Sequence, residues 1–399
     1  MSQTTLERAP KWLGEARERV WDIFSKTSSP AGDVETWRRM PFSNWRIEKA
    51  SESDAFEMNG IRKEDQAAVA KAGGQLLSLE EASSDFPDLV KPFIGAPIAS
   101  KDFLQLEAAN LALWRGGVFL RVPKGARIDE PVHLTFRHDP SRPYTFPRAV
   151  VLVEDGAQVT IVEEHIGDDG SAELEPVSAA FSNVTVGAGA HVRYFSSQEL
   201  GDNAVHFGHQ RIDLAAKAKL EHCSVMFGGR RHKSELEVVL SGERAESDIK
   251  GVLLARGDQF FDPHTKQHHK ASNTLSNLLF RAAVRDSSRS IYTGLIRIER
   301  DALNCEAYQT NKNLLISESA RADSTPVLEI LPNEVACRHG ATAGPVSAEE
   351  LYYLACRAIP EQEALRMLVL GFFDPILSAF PIESLRAHLT ELVGREALP

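Results

Sequence analysis

A long series of short strand patterns, which begins near Val118, limits the possible folds of this chain more than any other feature. Apolar residues alternate there with others, as in Val159 and Ile161 or Val192 and Tyr194. This period of two is typical of strands with one buried face. No segment with helical periodicity interrupts the series, so we predict a mainly β core: a sandwich, a barrel or a solenoid.

Small-residue corners that recur between the strand patterns favour the solenoid. Gly125-Ala126, Gly156-Ala157 and Gly189-Ala190 each precede a strand pattern, at intervals of 31 and 33 residues, which are typical of repeat architectures. We interpret Lys217-Ala218 and Arg244-Ala245 as degenerate later copies. Asn-Gly and Asp-Gly hairpin signals do not recur regularly between the strands. The sequence therefore predicts a parallel β-helix, whose two ends are strand edges that need a cap or a partner.

The segments on either side of the strand series are predicted to be helical. Apolar residues between Trp12 and Phe24 recur at near-helical spacing, and we expect further short helices over Leu76–Ala82 and Lys101–Leu113. The chain is thus divided into a helical and loop-rich N-terminal region, a β-helix core and a C-terminal helical domain, at residues 1–115, 116–344 and 345–399.

The C-terminal part carries signals for helix ends. Ser347 and Glu350 have the spacing of a capping box, and Pro360 fits the first turn of the next helix. Pro381 is predicted to open a last helix, which Gly394 would end.

Composition and charge exclude several classes of function. The net charge of −11 argues against nucleic acid or an anionic membrane as the main partner. The first residues do not form a secretion signal, and the apolar run Met367–Phe373, followed by Asp374-Pro375, is too short for a membrane helix. The four cysteines include no C-x-x-C pair and are too few for a disulfide framework. We therefore predict a reducing, cytoplasmic location.

Cys337 and His339 form the strongest local constellation. Two residues apart, a thiol and an imidazole project to the same side of an extended strand, and both bind iron or zinc. Two ligands do not complete a four-coordinate site, so others would have to come from elsewhere in the chain or from another chain. The alternative is a buried cysteine and a structural histidine in the last coil.

A second candidate set is Asp262, His264, His268 and His269. Carboxylate and imidazole at these spacings suit a metal site, but they equally suit the polar face of one solenoid turn, where they would bond to neighbouring groups. Cys305, in a segment rich in Asn and Gln, is interpreted as an inert interior residue. Signatures of hydrolytic triads and phosphate-binding loops are not found in the sequence.

The stretch from about Asp262 to Pro375 resembles the SufB/SufD family of SUF iron–sulfur cluster assembly proteins. The matching strings include I-Y-T-G-L-I-R-I, A-Y-Q-T-N-K-N-L-L-I-S, A-C-R-H-G-A-T-A-G and L-V-L-G-F-F-D-P-I-L, in family order and spacing. Gly340 follows the histidine where the SufB branch has Glu, so the chain resembles the SufD branch. It departs from the family at Ala358, where the usual Gly would ease a left-handed helix end.

The resemblance implies a right-handed parallel β-helix flanked by two helical domains, and a non-catalytic scaffold that pairs with a SufB-like subunit. A transient iron–sulfur cluster would form at the junction, with His339 as an iron ligand and Cys337 at the site. A SufC-like ATPase would dock on the C-terminal helices. The apolar stripe predicted for that docking consists of Leu365, Leu368, Val369, Phe372 and Phe373.

Several alternatives stay open on the sequence alone. A β-helix enzyme acting on polysaccharides is one, although such proteins usually carry a secretion signal. A purely structural partner of a SufB-like subunit, without a ligand role, is another. The sequence also leaves open the cluster type, the stoichiometry, a homodimer in the absence of the partner, and flavin binding, for which no dinucleotide fingerprint is present.

Overall fold

Two long sheets wind into a parallel β-solenoid of about eight turns. The computed structural model describes residues 10–27, 37, 39–40, 47, 50, 61–95, 103–169, 175–379 and 382–396. Along most of the chain, successive strands alternate between the two sheets, so each turn adds one strand to each sheet. This confirms the predicted mainly β, parallel solenoid with helices on either side.

The larger sheet contains β1 (Gln75–Ser78), β2 (Val118–Val122), β4 (Tyr144–Thr145), β5 (Arg148–Val153), β7 (Val177–Val186), β9 (Val205–Leu214), β11 (Arg231–Leu240), β13 (Phe260–His269), β15 (Arg289–Ile298) and β17 (Arg321–Ile330). The smaller sheet contains β3 (Val132–His138), β6 (Gln158–Gly167), β8 (His191–Glu199), β10 (Lys219–Met226), β12 (Glu246–Ala255), β14 (Leu275–Val284), β16 (Cys305–Leu315) and β18 (Val335–Pro345). The described helices are α1 (Lys11–Lys26), α2 (Lys63–Lys71), α3 (Leu79–Asp85), α4 (Pro87–Ile94), α5 (Leu104–Leu113), α6 (Ala348–Ala355), α7 (Glu361–Leu377) and α8 (Glu383–Glu396).

The predicted corners are present, and each places one residue in the left-handed region. Gly125, Gly156 and Gly189 have φ of +69°, +66° and +65°, a conformation that glycine adopts without a steric penalty. Lys217 and Arg244 have φ of +57° and +61°, which confirms them as degenerate copies of the same corner. A residue with a side chain in this region costs on the order of 1 kcal/mol. The backbone hydrogen bonds between successive turns of the solenoid offset this cost and hold the two corners in place.

Side chains of both sheets that point inward fill the interior, which we call the lumen. One part of the lumen is apolar and includes Val186, Leu214, Leu240 and Val284. Another part is polar and contains histidines, glutamate and amides. The polar part matters for function because it extends along the strands toward the last turns.

Helices cover the outer faces of the two sheets. On the larger sheet, Phe181 and Phe207 pack with Leu106 and Trp114 of the N-terminal region in one apolar cluster. The fully buried Arg148 side chain secures this layer, because it donates to the Asn110 side-chain oxygen at 3.0 Å.

The outer face of the smaller sheet is covered in a similar way by α7 and α8. Val162 and Val252 pack there with Val369, Phe373 and Leu389. None of the described helices is both long and apolar enough to cross a membrane.

Several details differ from the sequence prediction. The helix predicted over Leu76–Ala82 is correct only in its second part: α3 begins at Leu79, whereas the residues before it belong to β1, which pairs antiparallel with β2.

Only some of the helix ends predicted for the C-terminal domain are confirmed. Gly394 does not end the last helix, since α8 runs from Glu383 to Glu396, and Pro381 lies outside the described residues. The Ser347 side chain accepts a bond from the Glu350 amide, as predicted for the start of α6. The three-part division at residues 115 and 344 stays a prediction.

The helix end at Ala358 keeps the left-handed geometry despite the missing glycine. Ala358 has φ of +56°. The amides of Ala358 and Ile359 donate to the oxygens of Ala355 and Leu354 at 2.9 and 3.3 Å, which closes the end of α6. Alanine in place of glycine therefore raises the free-energy cost of this helix end but does not change its backbone conformation.

Candidate functional site

The solenoid ends in two strands, β17 and β18, which we call the open end. Strand β17 pairs with β15 and β18 pairs with β16, and the described chain adds no further strand beyond either. Most side chains of both strands are exposed or half-buried. The outer edge of each strand therefore presents backbone donors and acceptors that another chain can pair with.

Cys337 and His339 both lie on β18 and face the lumen. Their register partners on β16 are Ala307 and Gln309, which are 0% and 3% exposed. Since neighbours in register share a face of the sheet, the thiol and the imidazole point to the same side, as predicted. Cys337 is half-buried and His339 is exposed, because no turn follows to cover it in the described chain.

The surroundings of Cys337 favour the protonated thiol. It packs against a small apolar cluster that includes Ile296, Ile298 and Cys305. Burial, with a further contribution from nearby Cys305, raises the pKa of the Cys337 thiol above its ordinary value. A metal ion would have to displace that proton, because the thiolate is the form that binds metals.

Cys337 and His339 do not form a complete metal site. Within the described residues, no group of three or more His, Cys, Asp or Glu side chains is placed to hold a metal ion. A tetrahedral iron or zinc site requires four donors. The two side chains can therefore supply at most part of a coordination sphere.

A network of side-chain amides fills the lumen directly beneath the open end. The Asn313 side-chain nitrogen donates to the Asn311 oxygen at 2.7 Å and to the Thr342 backbone oxygen at 3.1 Å. The Ser324 hydroxyl on the opposite sheet also donates to Asn311. These bonds attach β18 to the turn below it and keep the site strand in place.

The second candidate set separates into different environments. Asp262 and His264 lie on the outer face of the larger sheet, where the Lys233 ammonium donates to the Asp262 carboxylate at 2.7 Å. Lys233 is completely buried, and its nitrogen lies 3.0 Å from the His264 ring nitrogen. A protein cation thus occupies the place beside Asp262 and His264 that a metal ion would take.

His268 and His269 point to opposite sides of β13. The His268 ring bonds to Glu299 at 2.9 Å, whereas the His269 ring bonds to Thr274 and Ser276 at 2.7 and 2.8 Å inside the lumen. The four side chains therefore do not form one site. Each bonds to a neighbouring side chain, although the buried His268 Nδ1 has no hydrogen-bond partner among the described residues.

Cys305 occupies a structural position. It directly follows Asn304, whose φ is +54°, and so takes the place that Ala218 and Ala245 hold at earlier corners. It is completely buried, and its sulfur lies 3.1 Å from the Thr274 hydroxyl. This confirms the predicted interior position, and the inertness of the thiol stays a prediction.

The sequence interpretation missed a row of histidines inside the lumen. Neighbouring rings of His138, His165, His206 and His232 have centroids 5.7, 5.3 and 5.1 Å apart. Burial lowers the pKa of His138 and His206 well below the ordinary value, and that of His232 to about 3. The register of the strands could have revealed this row, because His206 and His232 are direct partners on β9 and β11.

A buried carboxylate bonds to His165, the second histidine of this row. Glu163 accepts bonds from the Ser182 hydroxyl at 2.9 Å, from the His165 ring at 2.8 Å and from the Tyr194 hydroxyl. These bonds outweigh the cost of burial, so the pKa of Glu163 lies below its ordinary value. Glu163, His165, His206 and His232 line a lumen cavity of about 70 Å³, which is large enough for a few water molecules.

The stripe predicted to receive an ATPase is largely turned inward. Val369 and Phe373 are completely buried against the smaller sheet, so the prediction is wrong for these two residues as an accessible surface. Among the described residues of this region, the exposed large apolar side chains are those of Tyr352 and Tyr353 on α6 and Met367 on α7.

Comparison with known proteins now identifies the family. The family described as "SUF system FeS cluster assembly, SufBD core domain" matches residues 136–372, so the chain belongs to the SufBD family and has a role in iron–sulfur cluster assembly.

Two relatives show how far the similarity extends. The iron–sulfur cluster assembly protein SufD of Bacillus subtilis is 30% identical over 79% of this chain and 72% of its own length. A SufBD family protein of Staphylococcus saprophyticus is 25% identical over 94% of this chain and 83% of its own length. These matches confirm the family predicted from the C-terminal motifs.

Proposed function

We propose that this chain is a non-catalytic, SufD-like scaffold subunit that pairs through its open end with a SufB-like subunit. His339, with Cys337 beside it, supplies part of the coordination of a transient iron–sulfur cluster that the two subunits share. The observation that carries this proposal is the exposed imidazole on the lumen face of an edge strand that has no neighbour in the described chain.

The edge strands are suited to accept another solenoid. Each presents a row of unpaired backbone groups, and strand addition satisfies such rows with main-chain hydrogen bonds. The exposed residues Leu328 and Leu331 at the end of β17 add apolar surface. A second solenoid seated here would cover His339 and bring its own side chains to the same place.

The donor types fit iron and sulfide as the cargo. A neutral imidazole and a thiolate are both ligands of iron in proteins, and a thiol next to a metal loses its proton readily. Because this chain supplies only two such groups on the site strand, a partner must complete the coordination sphere. Dissociation of the partner would then release the cluster, as a transient assembly site requires.

The exposed side of the C-terminal helices is suited to dock a SufC-like ATPase. No residue of α6 is buried, and Tyr352, Tyr353 and Met367 expose their side chains there. Helix α7 is anchored to the solenoid, since Arg281 of β14 donates to the backbone oxygen of Phe372. ATP-driven movement of the docked ATPase would therefore pull on the solenoid and open the junction.

A cytoplasmic location accompanies this proposal. All four cysteines are free thiols, as in proteins kept in a reducing compartment.

The substitution His339→Ala in the assembled complex tests the ligand role. We expect iron and acid-labile sulfide after anaerobic reconstitution to fall by about tenfold or more, in line with the loss of a metal ligand. His388→Ala is the matched control, because His388 is also exposed but lies on α8 beside Glu199. Unchanged cluster content in His339→Ala would remove this residue from the site.

The isolated chain gives an independent test. Reconstitution without a partner should leave it with little stable iron and sulfide, because half of the ligands are missing. A stable, stoichiometric cluster on the isolated chain would contradict a shared site.

The rival role, a purely structural partner, predicts a different result for the double variant Cys337→Ser, His339→Ala. If the complex assembles and builds clusters at the normal rate with both side chains replaced, the chain acts only as a support for its partner.

A further inference from the structure

We infer that Gln309 positions His339: its carboxamide oxygen, which has no hydrogen-bond partner among the described residues, is placed to accept a bond from the imidazole when the exposed ring turns toward it, and so to hold the ring for coordination. The carboxamide is itself held in a slot that Gly294 leaves in the opposite sheet. This inference rests on the proposed function, because it assigns a second residue to the same site. Gln309 is a positioning residue and not a ligand.

The register places Gln309 directly beside His339. The two residues are partners across β16 and β18, and neighbouring strands lie about 4.8 Å apart. Both residues face the lumen, and Gln309 is the residue of β16 in register with His339. No other polar side chain of β16 is opposite the imidazole, since the next partners are Ala307 with Cys337 and Asn311 with Ala341.

The Gln309 carboxamide has an unused acceptor. Its side chain is 3% exposed, and its Oε1 atom has no hydrogen-bond partner among the described residues. Leaving a buried amide oxygen unsatisfied costs about 1–3 kcal/mol. An imidazole N–H one strand away is the donor best placed to remove that cost.

Gly294 makes room for the carboxamide. The Gln309 Nε2 atom donates to the Gly294 backbone oxygen at 3.5 Å. A β-carbon at position 294 would lie 2.1 Å from Nε2 and 2.7 Å from Oε1 of Gln309, which is too close for either atom. The backbone of Gly294 is not in the left-handed region, so the need for glycine here comes from the space that the carboxamide fills.

A fixed N–H on one ring nitrogen has a direct chemical consequence. A neutral imidazole carries one N–H and one lone pair, and the hydrogen bond to one nitrogen decides which nitrogen can bind a metal. Partners of this kind orient metal-binding histidines, and their loss commonly lowers metal affinity by about 10–100-fold. Gln309 would thus fix the tautomer and orientation of the His339 ring before iron binds.

The tautomer of His339 in the isolated chain tests this inference without any cluster. Histidine labelled with ¹⁵N reports the two tautomers by NMR above neutral pH, and His339→Ala identifies the signal. Gln309→Leu should change the tautomer ratio by about threefold to tenfold, which corresponds to one net hydrogen bond. Gln309→Glu keeps an acceptor at the same place and should preserve the native preference.

Gly294→Ala provides a second way to disturb the contact. The new methyl group must displace the end of the flexible Gln309 side chain, so the ratio should change as in Gln309→Leu while the fold is kept. Thr310→Val is the matched control, because Thr310 is next in the strand and faces outward opposite Gly340. A His339 tautomer ratio that is the same in Gln309→Leu, Gly294→Ala and the native chain would overturn the inference.

Cluster content in the assembled complex separates this result from a failure of the proposed function. With Fe²⁺ and sulfide supplied, Gln309→Leu and Gly294→Ala should lower the bound iron severalfold, and Gln309→Glu should lower it less. If His339→Ala leaves the clusters intact, the proposed function fails, while the tautomer measurement still decides whether Gln309 orients the ring.

Discussion

The middle of the solenoid and its open end use the same inward-facing positions for opposite purposes. His206 and His232 lie in the middle, on the lumen face, and are 4% and 2% exposed. His339 also lies on the lumen face, but on the last strand, and it is exposed. Whether such a histidine is buried or exposed therefore depends on whether another turn follows, and not on the residue type or the strand geometry.

The energetic consequences of the two situations differ. In the middle, burial lowers the pKa of His206, His222 and His232, and a few buried atoms, such as His232 Nδ1 and Gln267 Oε1, have no hydrogen-bond partner among the described residues. At the open end, Cys337, His339 and the Gln309 carboxamide oxygen are left with incomplete surroundings. Natural proteins leave polar groups in this condition where another molecule completes them.

The largest expected effect is acid destabilisation from the buried histidines of the solenoid. Burial lowers the pKa of five of them: His138, His206, His222, His232 and His269. The values reach about 4 for His222 and His269. Since an unfolded histidine titrates near 6.5, the unfolded chain binds more protons below that pH, and stability falls as the pH decreases.

The size of this effect follows from proton linkage. Five neutral histidines correspond to a loss of about 5 kcal/mol in the free energy of unfolding between pH 6.5 and 5.5. Urea unfolding at pH 7.5, 6.5 and 5.5 measures it, and His232→Gln should reduce the slope by about one fifth. Equal stability at pH 7.5 and 5.5 would disprove the contrast between the two regions.

A matched pair of lysine substitutions should destabilise the middle of the solenoid much more than the open end. The difference in free energy of unfolding should be slightly smaller than the pH effect. Ala282 and Ala343 lie in one column of the smaller sheet, on either side of Asn313. Ala282 is completely buried, so Ala282→Lys places an unpaired charge in the lumen and should cost about 4 kcal/mol or more. Ala343 is exposed, and Ala343→Lys should change the stability of the isolated chain by less than about 0.5 kcal/mol.

Denaturant midpoints of the two lysine variants check this expectation, and co-purification sharpens it. Ala343→Lys should weaken pairing with a SufB-like subunit although the chain itself stays folded. If both variants unfold at the native denaturant concentration, the lumen is not closed at Ala282.

The smallest effect is expected for Cys305→Ala. Cys305 holds the corner position that alanine fills in earlier turns, such as Ala218 and Ala245, and all three are completely buried. The backbone already accommodates alanine there, so the free energy of unfolding should fall by no more than about 1 kcal/mol. Cluster content in the complex should remain native. A loss as large as that of His339→Ala would instead make Cys305 part of the site.

Local signals predicted the architecture well because the corners depend on single residues. Gly125, Gly156 and Gly189 occupy left-handed positions that glycine adopts most easily, and their spacing reports the length of one turn. The pairing of Cys337 with His339 on one face was also predictable, since it follows from the two-residue period of a strand.

Features that depend on contacts between distant segments could not be predicted in this way. The Leu76–Ala82 segment begins as a strand only because β2 lies beside it. The histidine row is produced by register between turns, and Val369 and Phe373 are hidden because the solenoid lies beneath that face of the helix. An apolar stripe shows that a helix packs against something, but it does not distinguish the chain's own sheet from a partner.

At the far end of the solenoid, β1 pairs antiparallel with β2, and Ile61 forms a bridge with Leu134 of β3, so the parallel pairing does not continue there in the described residues. Repeating units with a free binding edge at both ends polymerise into fibres, because each added copy leaves a free edge to which the next copy can bind. Under the proposed pairing, a partner at the open end would occupy the edges of β17 and β18, while the far end carries an antiparallel strand that does not continue the parallel solenoid. Two such proteins that meet end to end would then form a discrete pair with a single junction.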